Sequence, residues 1–173
     1  KNIFGESGFE LIDLFPQPTH GGSMRYILSK KGSYEPKKIV NEILLHEKKI
    51  GLDLAVTYEK FRKSCEESRD DLVKMLHEEK KLNNRVVAYG ATSKSTTILN
   101  YCKINHKHID CIFDTTPDKI NKLTPGTHIP IKNYKYFQKS SYKHVFLFAW
   151  NHKKEILNKE KSKKNLNWFN HLV

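Results

Sequence analysis

The spacing of apolar residues changes near residue 84, and this change limits the folds that the chain can adopt. Up to that point, the stretches 35–52 and 54–83 place apolar side chains three or four residues apart, as amphipathic helices do. Beyond it, the predicted strands "RVVAYG", "HIDCIFDTT" and "YKHVFLFAWN" alternate with helical stretches. Strands that alternate with helices form parallel sheets through right-handed crossovers. The sequence therefore predicts an α/β fold with a Rossmann-like parallel sheet flanked by helices.

Residues 1–32 lie ahead of these helices and show a different pattern. Two predicted strands, 9–15 and 23–29, flank a loop broken by prolines, which indicates a β-hairpin. Because a lone hairpin is only marginally stable in water, we expect this one to belong to a larger sheet. The segment begins without a methionine, and we expect the chain to be a fragment of a longer protein.

The composition restricts the partners of the chain. The 31 lysine and arginine residues against 19 acidic ones give a formal net charge of +12, which favours partners that carry phosphate. The lysines are spread along helices and loops, however, without interleaved aromatic residues, so we expect no nucleic-acid partner. No apolar run approaches the ~20 residues of a membrane span, and we expect no membrane partner. Three cysteines without a CxxC pair argue against a zinc site and fit a reducing cytoplasm.

The stretch "VVAYGATSKSTTILN" joins a predicted strand to a predicted helix through Gly90. A glycine permits a sharp turn there, and the small Ala91 lets a ligand approach the backbone. The first amides of a helix have no internal partner and, together with the helix dipole, form an anion site to which Lys94 adds a positive charge. The hydroxyl donors of this stretch are Ser93, Ser95 and Thr96.

Two interpretations of this joint stay open. In the first, the joint binds a phosphate, a pyrophosphate or a carboxylate. In the second, Gly90 only makes the turn, Ser93 caps the helix and Lys94 extends into water. The stretch is neither GxGxxG nor a Walker loop, so the pattern does not decide between them.

Further candidates follow the next two predicted strands. Asp114 stands where dinucleotide-binding folds carry an acid for the ribose hydroxyls, although an aspartate before "TTP" also caps a turn, and the spacing slightly favours that structural role. Trp150 and Asn151 end the third strand, at the edge where open α/β sheets bind ligands. Their structural alternatives are a core residue and a helix cap.

Two loops hold other polar candidates. "PGTHIPI" places His128 in a rigid loop that suits a pocket wall, although a lone loop histidine is more often structural. "HGGSMR" places Arg25 behind two glycines, where it pairs with an anion or is exposed on a bulged strand.

Taken in this order, "HGGSMR", "YGATSKSTTILNY", "DTTPDKINKLTPGTHIPI" and "AWNHKKEI" resemble the C-terminal region of nucleotide-sugar C-methyltransferases, which use S-adenosylmethionine (SAM). The resemblance implies a zinc-binding module, then a class I SAM domain, then a Rossmann-like domain that helps to hold the nucleotide-sugar. It implies that residues 1–32 are the last hairpin of the SAM domain and that 33–173 are the C-terminal domain. SAM, the zinc ion and the catalytic groups would then belong to the upstream parts.

The resemblance also assigns substrate-binding residues. The family often has Pro-Ala-Lys-Gly after Gly-Ala, where this chain has Thr92, Ser93, Lys94 and Ser95. By motif the assigned residues are His20, Gly21, Gly22 and Ser23, then Gly90, Ala91, Lys94 and Thr96, then Pro125, Gly126, Thr127 and His128. The residues proposed from their own chemistry are Arg25, Ser93, Ser95, Asp114, Trp150 and Asn151. We predict no catalytic residue and no metal ligand in this chain.

The leading hypothesis is therefore the C-terminal part of a cytoplasmic SAM-dependent methyltransferase. Its substrate would be a nucleotide-activated or phosphorylated sugar, used in surface carbohydrates such as capsule. The alternative is an NAD-type dinucleotide-binding module of a regulatory protein or an oxidoreductase, in which Asp114 would bind the ribose. The absence of a second turn glycine argues against that alternative.

Overall fold

The computed structural model describes residues 1–170, except for the side chain of His20. The chain divides into two compact units, one comprising residues 1–62 and the other beginning at residue 63. No helix of the described residues is both long enough and apolar enough to cross a membrane.

The first unit contains the predicted hairpin, which is confirmed as an antiparallel pair of strands with a register shift between Leu11 and Asp13. Leu11 and Leu14 of the hairpin are buried together with Val40 of the helix that follows it. One face of the hairpin is therefore covered by a helix. The elements are α1 (Asn2–Glu6), β1 (Phe9–Gln17), β2 (Ser23–Lys30), α2 (Lys38–Lys49) and α3 (Ala55–Lys81), of which α3 continues into the second unit.

The second unit is a parallel sheet with helices on both faces, which confirms the predicted fold class. After α3 its elements are β3 (Val86–Tyr89), α4 (Ser93–Tyr101), β4 (Ile112–Asp114), β5 (Ile131–Asn133), α5 (Lys135–Lys139), β6 (His144–Leu147), α6 (Lys153–Lys159) and β7 (Asn167–Phe169). The strand order is β5-β4-β3-β6-β7, and every neighbouring pair is parallel.

Alternate residues of β3 belong to two different cores. Ala88 packs with Leu76 of α3 and Leu99 of α4. Val87 packs in the other core, which contains Phe137 of α5 and a buried residue of α6. Because side chains alternate along a strand, this central strand must be apolar at every position, and all four of its residues are buried.

The parallel sheet has two strands more than the three that the sequence predicts for it. β5 begins at Ile131, the last residue of the proline-rich stretch that is predicted as a loop, and β7 lies in the aromatic segment near the end of the chain. Each has three residues and is defined by its pairing, β5 with β4 and β7 with β6. Unlike the equally short β4, which lies within a longer apolar run, these two strands have no apolar run around them that would predict a strand.

The strand order places a topological switch point beside β3. From β3 the chain builds β4 and β5 on one side of the sheet and later β6 and β7 on the other. Open α/β sheets bind ligands in the crevice at the carboxyl ends of the two strands that flank such a point. Here these strands are β3 and β6, and Gly90 and Ala149 follow them closely.

Candidate functional site

Gly90 makes the turn from β3 to α4 and touches the segment after β6. Its φ is +90°, a value that favours glycine. A Cβ at this position would lie 3.0 Å from the Cβ of Ala149. Both the backbone angle and the close approach therefore require a glycine at the switch point.

The cap of α4 is Thr92, one residue before the serine considered in the sequence analysis. The Ser95 amide donates to the Oγ1 of Thr92 over 3.0 Å, and the Ser95 hydroxyl donates to the Thr92 carbonyl over 2.6 Å. Ser95 is completely buried, so its hydroxyl is used inside the helix. Ser93 is exposed in the first turn, and Thr96 is half-buried one turn further along.

Two amides of this joint are left for a ligand. The Ala91 amide donates to the Oδ2 of Asp114 over 2.7 Å, and the Thr92 amide donates to the Gly90 carbonyl over 3.0 Å. The amides of Ser93 and Lys94 have no hydrogen-bond partner in the part of the chain that the structure describes. Backbone amides at a helix N-terminus are suitable donors to an anion.

Lys94 is the most unusual side chain of the site. Its Nζ atom is buried and has no hydrogen-bond partner among the described residues. The Nζ lies 4.6 Å from the ring centre of Trp150, a distance that allows a cation–π interaction. The ring stabilises the charge in part but accepts none of the three ammonium hydrogens as a carboxylate or phosphate would. The interpretation in which Lys94 extends into water is therefore wrong for this structure.

Asp114 fixes the turn from which these groups project. In addition to accepting from Ala91, it accepts the Thr116 amide on its Oδ1 over 2.7 Å. Lys119 donates to the Ala91 carbonyl over 2.8 Å and lies 4.0 Å from the Oδ2 of Asp114. Both carboxylate oxygens thus accept backbone amides, as the turn-capping interpretation expects, and a ribose would have to compete for them.

A cleft of about 360 Å³ lies at the carboxyl ends of β3, β4 and β6. Of the predicted residues, only Gly90 and Asp114 line it. Lining groups that the sequence analysis did not select are Thr92, Thr116, Lys119, Tyr134, His152 and Lys159. Thr116 and Lys119 closely follow a predicted strand and could have been found by that signal, whereas Lys159 lies at the far end of a helix and gave none.

Two tyrosines that line the cleft donate hydrogen bonds to a buried carboxylate. Glu160 is 3% exposed, and its Oε1 accepts the hydroxyl of Tyr134 over 2.5 Å and that of Tyr89 over 3.2 Å. Burial, followed by the charge of Glu160, raises the pKa of Tyr89, and burial together with the Glu160 hydrogen bond raises the pKa of Tyr134 to about 12. Lys159 lies 3.7 Å from the ring centre of Tyr134. The phenols therefore stay protonated and hold this lysine beside the cleft.

Trp150 and Asn151 form a short 3₁₀ turn, Trp150–His152, ahead of α6. Trp150 is half-buried over Lys94 and so belongs to the site. Asn151 is exposed, and the residue at the cap position of α6 is His152, with no side-chain cap bond. The expected structural alternative for Asn151, a helix cap, is therefore wrong.

The proline loop packs against α4 and not against the cleft. A Cβ on Gly126 would overlap the side chain of Asn100, which donates to the Pro125 carbonyl over 3.0 Å. The hydroxyl of Thr127 bonds that of Thr124 over 2.7 Å, and His128 is exposed with φ +54°. None of the predicted loop residues lines the cleft.

The "HGGSMR" residues belong to the first unit. Gly21 and Gly22 have φ of +87° and +126° between the two strands, and Ser23 begins β2. Arg25 is exposed and stands opposite Phe15 in the hairpin register. The backbone of His20 lies in the turn Thr19–Gly21, while its side chain lies outside the described part.

Known proteins match this chain over nearly its whole length. The C-methyltransferase C-terminal domain family matches residues 18–169. The chain is also 28% identical over 160 residues to the C-methyltransferase NovU of Streptomyces niveus, a match that covers 92% of this chain and 38% of that relative. The chain thus spans about two fifths of the length of that curated relative. Because the family match covers most of the residues, the chain belongs to the C-methyltransferase C-terminal domain family.

Proposed function

We propose that this chain is the C-terminal, substrate-binding part of a SAM-dependent methyltransferase that acts on a nucleotide-activated or phosphorylated sugar. Two observations on α4 carry the proposal: the ammonium of Lys94 is buried without a hydrogen-bond acceptor, and the amides of Ser93 and Lys94 at the start of the helix are free among the described residues. A phosphate oxygen is the acceptor that would complete this arrangement.

The surrounding charges favour the same ligand class. Lys119 and Lys159 line the cleft next to the Gly90 turn, while its carboxylates are Glu155 and the already bonded Asp114. In a partly enclosed cleft the effective dielectric constant is lower than in water, so two ammonium groups attract a phosphate more strongly than they would on an open surface.

We further propose that SAM binds to an upstream domain and that residues 1–32 complete the sheet of that domain. The curated relative is much longer than this chain. Of the eighteen exposed large hydrophobic side chains among the described residues, fourteen lie in the first unit. Such concentrated apolar surface is typical of an interface with another domain. The hairpin residues His20, Gly21, Gly22, Ser23 and Arg25 remain predicted substrate contacts under this proposal.

The biosynthetic role that we propose follows from the proposed substrate. We propose a cytoplasmic step in the synthesis of a surface carbohydrate such as capsule. Sugar analysis of surface polysaccharide from a strain that lacks the gene tests this step. Loss of a methylated sugar supports it, and an unchanged sugar profile contradicts it.

Calorimetric titration of the 173-residue chain tests whether this chain binds the substrate while an upstream domain binds SAM. We expect binding of nucleoside diphosphates, no binding of SAM and no methyl transfer by the chain alone. Tight SAM binding would contradict the proposal. Binding of NADH in preference to nucleoside diphosphates would favour the dinucleotide-binding alternative, in which Asp114 would have to give up one of its backbone amides.

A further inference from the structure

The lysines of the second unit are concentrated in one layer of the sheet, which refines the expectation that they are spread along helices and loops. The layer that contains α5 and α6, residues 132–164, has ten lysines and two acids, of which Glu160 is buried. The layer that contains α3 and α4, residues 63–81 and 93–103, has seven basic residues and six acids. One face is therefore strongly positive, and the other is close to neutral.

Backbone and side-chain contacts bring five of these lysines together. The Nζ of Lys163 donates to the Ser140 carbonyl over 2.8 Å, which places the segment after α6 against the end of α5. The Asn167 amide donates to the Lys143 carbonyl over 2.7 Å. We name the exposed lysines of this region the basic corner, and they are Lys135, Lys139, Lys143, Lys161 and Lys164.

We propose that the basic corner docks the protein on an anionic membrane surface, which replaces the expectation of no membrane partner that rested on the lack of a membrane span. Groups of four to eight basic residues bind anionic lipid headgroups through long-range attraction, which needs no pocket and no spanning helix. Tyr136 is 55% exposed next to Lys135, and an amphipathic tyrosine suits the level of the headgroups.

The residue types of the corner favour lipid over nucleic acid. All its cations are lysines, which act as hydrated point charges and lack the flat fork with which arginine recognises bases. Proteins that bind single strands also stack bases on several aromatic side chains, whereas Tyr136 is the exposed large hydrophobic residue of this layer. A diffuse array of ammonium groups fits a diffuse array of lipid phosphates.

Sedimentation of the whole chain with lipid vesicles tests the proposal. We expect binding to phosphatidylcholine vesicles that contain phosphatidylglycerol, none to pure phosphatidylcholine, and release as the salt concentration rises. The variant Lys139→Gln/Lys143→Gln/Lys161→Gln/Lys164→Gln should bind at least about tenfold more weakly. The matched control Lys63→Gln/Lys74→Gln/Lys80→Gln/Lys81→Gln loses the same charge from the other layer and should keep its binding within about twofold.

Three results would overturn the docking surface. Equal losses in both variants would show that only net charge matters. Displacement by soluble glycerol phosphate at the same phosphate concentration would show a phosphate site and not a membrane surface. Tighter binding to single-stranded or double-stranded nucleic acid than to vesicles would make nucleic acid the partner. Circular dichroism of each variant establishes that it is folded, and nucleoside diphosphate binding is unaffected because the substituted residues lie outside the cleft.

Discussion

Lys94 carries an ammonium group that the fold withdraws from water without supplying a hydrogen-bond acceptor. A buried charge of this kind lowers stability unless another group pairs with it. The indole of Trp150 compensates for part of this cost. We infer that the lysine is kept for a ligand, because packing alone would be better served by an uncharged side chain.

The substitution Lys94→Met tests this inference. Methionine keeps most of the length of the side chain and removes the charge, so the free energy of unfolding should stay unchanged or rise by about 1–2 kcal/mol. The affinity for pyrophosphate should fall at least about tenfold, since a charge-assisted hydrogen bond is lost. Urea unfolding and calorimetry measure the two effects. The exposed Lys107→Met is the control, and a variant that lost stability but kept affinity would contradict the inference.

Two constraints exclude a larger residue at position 90: the positive φ of the backbone and the close approach of Ala149. Gly90→Ala should lower the free energy of unfolding by about 1–3 kcal/mol, because alanine is strained at this φ and its Cβ presses on Ala149. Ala149→Gly in the same chain should recover only the part that is due to contact. Urea unfolding of the two single variants and the double variant separates the cost of the backbone strain from the cost of the contact with Ala149. An additive result would show that the contact does not matter.

At the scale of elements, the start of α4 is set by Thr92 and not by the serine that follows it. Four of the five residues from Ala91 to Ser95 are small or carry a hydroxyl, and any of the three with a hydroxyl could cap the helix. The choice is made by Asp114 from the neighbouring strand, which holds the Ala91 amide and so fixes where the chain can turn. That contact joins residues 23 positions apart and is not visible in local sequence.

Thr92→Val removes the cap while keeping the shape of the side chain. The free energy of unfolding should fall by about 1 kcal/mol, because the Ser95 amide loses its acceptor. Urea unfolding checks this, and Thr97→Val on the exposed side of the same helix serves as the control. Equal effects of the two substitutions would mean that replacing a hydroxyl by a methyl group, and not the loss of the cap, governs the change.

The tyrosine pair that joins β3 to the α5 and α6 layer predicts a dependence on alkaline pH. Burial and Glu160 raise both pKa values, so the folded protein keeps its phenols neutral after the unfolded chain begins to lose protons near pH 10. Stability is therefore fully present below pH 10 and should fall as the pH rises towards about 12, the pKa of Tyr134.

Unfolding measured from pH 8 upwards tests this dependence. Tyr134→Phe should make the decline less steep, whereas the exposed Tyr136→Phe should leave it unchanged. An identical decline in both variants would show that other groups cause the alkaline loss.

Sequence patterns predict the central elements of the fold and fewer residues of the site. β3, β4 and β6 are apolar runs, because a strand covered on both faces must be apolar throughout. The joint after β3 is predictable from Gly90, since glycine has a clear geometric role there. Lys119 and Lys159 were missed because a lysine carries no local mark of the cleft that distant parts of the chain build around it.

At the scale of the whole molecule, the fold turns a lysine-rich stretch of the sequence, residues 132–164, into one positively charged layer of the second unit. The ten lysines of this stretch share one side of the sheet because α5 and α6 pack in the same layer. The carboxyl edge of the same sheet holds the cleft. A basic chain can thus contain a specific anion site and a diffuse positive surface, and experiments on binding must distinguish them.

A backbone amide NMR titration with pyrophosphate makes this distinction most directly, because it reports on every part of the molecule at once. The account predicts saturable shifts that are largest at the free amides of Ser93 and Lys94 and at the indole of Trp150. The amides of Ala91 and Ser95 already have acceptors and should shift less. Shifts confined to the basic corner, with the start of α4 unchanged, would contradict the proposed anion site.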